Sequence, residues 1–87
     1  FDNNLIGVVM DRFGKDIILN SNTENTFVAK LNVNISSQFY GWLAGLGTGV
    51  KILSPQSEVE KYLKYIKDIS SIYTHFWYFV VLYPVSI

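Results

Sequence analysis

The hydrophobic positions of this chain change period along its length, and each change marks an element. Near the start, Leu5, Val8, Val9 and Phe13 fall close to helical spacing, which predicts a short helix. The segment is short and β-branched, so a strand is the competing reading. Gly14 is the expected stop, in a left-handed cap. Residues 16–20 read as a strand, with Ile17 and Leu19 on one face, and residues 21–25 form a polar turn cluster. The clearest alternation runs over residues 27–35. Phe27, Ala29, Leu31, Val33 and Ile35 point one way, and Val28, Lys30, Asn32 and Asn34 the other. That pattern predicts a half-buried antiparallel strand with one wet face, paired to the preceding strand as a hairpin.

The period then returns to helical. Ser36 or Ser37 is placed to cap a helix. Phe39, Trp42, Leu43 and Leu46 form one apolar stripe along it. Tyr40 lies off that stripe, which makes it a candidate partner contact. Gly45, Gly47 and Gly49 end the helix, since glycine takes positive φ without steric cost. Close packing and capping explain these glycines, with Gly41, better than a phosphate loop does, because such a loop follows a strand and opens a helix. Residues 50–53 read as a short strand. Ser54 as cap and Pro55 in the first helical position open the last helix, with Ser57 and Glu60 offering a second capping box. Val59, Tyr62, Leu63, Ile66, Ile69 and Tyr73 should form its buried stripe. Glu58, Glu60, Lys61, Lys64, Lys67 and Asp68 should cover its other side.

The element order is helix, strand, strand, helix, strand, helix. One further strand in front would give β-α-β-β-α-β, the ferredoxin-like order. The expected fold is therefore a small α+β domain over residues 1–74, an antiparallel sheet with helices on one face and its first strand missing. Phe1 in place of Met reads as the start of a fragment or a processed piece. Acidic Asp2 and the lack of a basic stretch argue against a signal peptide. Residues 76–83 are a run of eight apolar side chains ending at Pro84. The run is far short of the ~20 residues that span a bilayer. Residues 75–87 are therefore set apart as a hydrophobic tail: an added strand, an interfacial anchor or extraneous sequence.

Eighty-seven residues make one domain. A chain of this size buries roughly 60% of its unfolded surface and is only modestly stable alone. At 49% hydrophobic and 16% aromatic, it has apolar surface either for a well-filled core or for a core with a partner face left over. Seven basic and seven acidic residues cancel, which argues against autonomous binding to DNA or RNA. Cysteine is absent, so disulfides and thiolate chemistry are excluded, and a reducing, cytoplasmic setting fits best.

Little in the chain points to catalysis. His75 is the sole histidine and has no ligand cluster around it. The serines sit where helix caps belong, and neither a base nor an oxyanion site accompanies them. The chain is expected not to be an enzyme and to need no metal or cofactor. Phe39 and Trp42 are candidates for stacking a flat ligand, with burial in the core as the simpler role. Arg12 can pair with Asp11 or Asp16, or bind an anion.

Three segments taken together carry a family resemblance. They are Asp11-Arg12-Phe13-Gly14, then Ser37-Gln38-Phe39-Tyr40-Gly41-Trp42-Leu43-Ala44-Gly45-Leu46-Gly47, then Val50-Lys51-Ile52-Leu53-Ser54-Pro55. In this order and spacing they resemble the C-terminal extension of bacterial WYL-domain transcriptional regulators. Phe13, Gly14, Phe39, Trp42, Gly45, Gly47 and Pro55 are the structural positions of the match, which covers roughly residues 5–73. The resemblance implies a ferredoxin-like module that serves dimer contacts or signal relay in a parent whose N-terminal helix-turn-helix binds DNA. The parent's WYL domain would sense a small ligand or nucleic acid. Neither the DNA-binding domain nor the Trp-Tyr-Leu signature is in this chain, so no ligand-binding residue carries over. The expected partners are a neighbouring WYL domain or a second subunit, as a homodimer. The face bearing Val28, Lys30, Asn32 and Asn34, with Tyr40 and Arg12, is the candidate contact surface. The competing reading is a small membrane-peripheral protein anchored by residues 76–82.

Overall fold

The computed structural model describes residues 1–14 and 17–74. The chain divides into two compact units, Phe1–Leu53 and Ser54–Ile87. The first holds helix α1 (Ile6–Phe13), strands β1 (Ile18–Ser21) and β2 (Phe27–Lys30), and helix α2 (Ser37–Gly45). The described part of the second is helix α3 (Gln56–Ser71) with a closing 3-10 turn, Ile72–Thr74. The class is α+β, as expected.

The helical reading of residues 5–13 holds. Val9 is fully buried, and Leu5, Met10 and Phe13 are half-buried on the same side. Gly14 ends α1 with φ 82° and ψ −174°, and its N–H donates to the Met10 carbonyl at 2.8 Å. The positive φ was expected, but that ψ lies outside the left-handed helical well, in a region essentially reserved for glycine.

The hairpin is antiparallel, with Ile18 opposite Lys30 and Ser21 opposite Phe27. Its turn is held by side chains: Asn22 Nδ2 donates to Thr26 Oγ1 (3.2 Å), and the Thr23 and Thr26 hydroxyls share a 2.7 Å hydrogen bond. β2 is shorter than the alternation suggested, because Ile17 bends and the ladder runs out at the Ile18–Lys30 pair. The alternation itself continues: Leu31 and Val33 are half-buried, while Asn32 and Asn34 are exposed.

On its other edge β2 meets the N-terminus. Phe1 and Phe27 exchange two backbone hydrogen bonds of 2.9 Å, and their rings stack 5.3 Å apart. Asp2 bridges to Thr26 and donates its N–H to the Gly49 carbonyl at 2.8 Å. The lateral order is thus β1, β2, the Phe1–Asp2 backbone, and the segment starting at Gly49. The sheet itself has two strands, with residues 1 and 2 joined to its β2 edge by an isolated bridge and the Phe1–Phe27 pair.

The expected strand at residues 50–53 is corrected. Val50 is extended (φ −140°, ψ 147°), but no ladder pairs the segment, and a strand exists only where a neighbour takes up its backbone groups. α2 begins as expected. Ser36 is extended, and its Oγ accepts the Phe39 N–H at 3.2 Å. Phe39 and Leu43 are buried, and Trp42 and Leu46 are half-buried. Gly47, at φ 61°, turns the chain into a short 3-10 segment. With Val9 and Phe27, the two buried α2 side chains complete a small core.

α3 differs from expectation at its start and along its face. Pro55, not Ser54, occupies the cap position, and no side chain caps the helix. The Pro55 carbonyl accepts the Glu58 and Val59 N–H groups. Ser57 lies inside the helix, so the second capping box does not form. The stripe expected to be buried is largely open: Val59 and Tyr62 are half-buried, but Leu63 (49%), Ile66 (37%), Ile69 (43%) and Tyr73 (83%) are exposed. Helical periodicity fixes which residues share a face, and it does not fix whether anything lies against that face. Lys61–Glu58 (3.2 Å) and Lys64–Asp68 (2.6 Å) ion pairs lace the polar side. The Tyr62 and Tyr65 rings stack at 6.3 Å. Partial burial, with the neighbouring Tyr65 second, raises the Tyr62 phenol above its ordinary 10.0. His75 and the hydrophobic tail lie outside the described residues.

Candidate functional site

Among the described residues of the first unit, an open cleft of about 430 Å³ lies at the junction of α1, the run after β2, and the first turn of α2. Phe13, Val33 and Phe39 give it apolar surface. Arg12, Asn32, Asn34, Ser36 and Gln38 give it polar groups.

Each polar group is placed by local sequence. Arg12 sits in the last turn of α1, where a cation also meets the negative end of the helix dipole. Asn32 and Asn34 alternate with half-buried Leu31 and Val33, so both turn outward. Ser36 spends its Oγ on the helix cap, and Gln38 stands in the exposed first turn behind it.

The Arg12 guanidinium is the centre of charge. Its carbon lies 4.9 Å from the centroid of the Trp42 ring and 5.9 Å from that of Phe13. Trp42 is itself braced edge-on by Phe13 (5.4 Å, 86°) and stacked by Phe39 (6.0 Å, 24°). A guanidinium lying over an aromatic face is held in place by the ring quadrupole, while its in-plane N–H groups stay available to an acceptor. Asp11, one of the two partners considered for Arg12, forms no ion pair with it. Asp16, the other, lies outside the described residues.

Of the six candidate contact residues, the structure brings three together: Arg12, Asn32 and Asn34. Val28 and Lys30 stay on β2, half-buried and exposed respectively, and Tyr40 is half-buried on α2 outside the cleft lining. The grouping differs from a single sheet face because β2 ends at Lys30, before the two asparagines. Gln38 was missed by the sequence reading, since no motif singles out a glutamine in a first helical turn. The Arg12–Trp42 contact was missed too, because it joins residues far apart in the chain. Among the described residues, no three His, Cys, Asp or Glu side chains gather as a metal site requires. No described helix is long and apolar enough to cross a membrane.

The described residues form a small α+β fold with a paired hairpin and an aromatic core contributed by two helices and β2. The chain is a member of the WCX-domain family, whose model matches residues 1–70. The WCX domain is the C-terminal domain of WYL-type regulators. No curated protein and no solved structure matches the chain.

Proposed function

We propose that this chain is the C-terminal regulatory and assembly module of a WYL-type, DNA-binding transcriptional regulator, and that it relays the ligand state of the parent protein through domain or subunit contacts. Its partners in this reading are a neighbouring WYL domain and a second copy of itself. It works in the cytoplasm, carries no catalysis, and reaches DNA only through another domain of the parent. The WCX match over residues 1–70 supports the parentage.

The observation that carries the assembly role is the α3 stripe, where Leu63, Ile66 and Ile69 stand at helical spacing and each keeps more than a third of its surface exposed. Contiguous apolar surface of this kind marks an interface. A ligand elsewhere in the parent shifts such an interface only if it binds the two arrangements unequally. The test is the double variant Leu63→Glu, Ile66→Glu. Both positions are exposed, so α3 should keep its helicity by circular dichroism while self-association drops from dimer to monomer in sedimentation velocity. An unchanged dimer would remove the stripe from the interface.

A further inference from the structure

The cleft has a charge pattern that narrows what it can take. Arg12 carries the only formal charge among its described lining residues, and the other polar groups are neutral: two asparagines, a glutamine and a serine. A run of nucleic-acid phosphates is held by several cations together, so a single guanidinium beside three side-chain amides suits a different ligand. One bidentate guanidinium matches one carboxylate. Each asparagine amide offers a donor and an acceptor, the same pair that a peptide bond offers in reverse. Asn32 and Asn34 are two residues apart on the outward side of an alternating run, and an extended peptide repeats its outward groups at that same two-residue spacing.

We propose that the cleft binds an extended peptide segment bearing a single acidic side chain, with the carboxylate on the Arg12 guanidinium and the main-chain amides on Asn32 and Asn34. The proposal rests on the reading of this chain as a contact module and supplies the chemistry of one partner. Trp42 is a positioning residue here: it holds the guanidinium and does not touch the peptide.

The experiment presents the folded chain to an array of heptapeptides whose central residue is fixed as Asp, Glu, Asn or Gln and whose flanks are randomised. Binding to the acidic sets should exceed binding to the isosteric amide sets at least tenfold. Arg12→Gln should abolish that preference, and Arg12→Lys should keep part of it. Asn32→Ala with Asn34→Ala, at two exposed positions, should weaken all sets alike. Equal binding of acidic and amide sets would overturn the proposal. So would a preference that survives Arg12→Gln, or a single-stranded oligothymidylate that binds more tightly than any peptide and depends on Arg12. If Arg12→Gln does not fold, the Arg12→Lys and asparagine variants still decide the outcome. Self-association through α3 is read separately, so an acidic preference in a chain that stays monomeric would spare this proposal while refuting the assembly role.

Discussion

Gly14 shows what a single position contributes. Its φ of 82° with ψ of −174° is open to glycine and closed to residues with a Cβ. Gly14→Ala should therefore destabilise the first unit by about 1–3 kcal/mol, seen as a lower urea midpoint with an unchanged m-value. Wild-type stability in that variant would contradict the assigned backbone. The glycine was legible in the sequence as a helix stop, because the apolar stripe ends beside it, but its ψ was not, since that depends on where the chain must go next. Arg12 shows the opposite limit. Its neighbour in sequence, Asp11, suggested an ion pair that does not form, and the structure puts Trp42 of another helix under the guanidinium. No local pattern encodes a contact between residues so far apart.

At the scale of elements, legibility follows the range of the interactions. The start of α2 was readable because a serine cap is a local bond: Ser36 Oγ takes the N–H three residues on. Ser36→Ala should cost about 1 kcal/mol, measured as a shift in the thermal midpoint, and Ser37→Ala should cost much less. The Val50–Leu53 segment was misread because a strand needs a partner, and β-branched residues alone supply none. α3 was located correctly and its burial was not. Its Tyr62 offers a probe of that face by pH. The phenol's pKa is raised in the folded state, so above pH 10 the folded chain holds a proton that the unfolded chain has lost, and stability must fall as pH rises through that range. Below pH 10 both states keep the proton and the effect vanishes. Circular dichroism should show α3 losing helicity at alkaline pH less steeply in Tyr62→Phe than in wild type, and identical curves would contradict the assignment.

On the scale of the whole molecule, the buried side chains among the described residues are few: Val9, Phe27, Phe39 and Leu43 form the apolar core. A domain this small with so modest a core has little stability in reserve. The α+β class and the order of helices and hairpin were readable from period alone. The lateral place of Phe1 and Asp2 beside β2 was not legible in the sequence, because it rests on backbone pairing across twenty-six residues.

The central claim is that the chain assembles through its WCX-type domain. Light scattering coupled to size exclusion, run on the full chain and on a version ending at Thr74, tests it most directly. A folded dimer in both forms is the predicted result. A monomer in both, or association that needs residues 75–87, would contradict it.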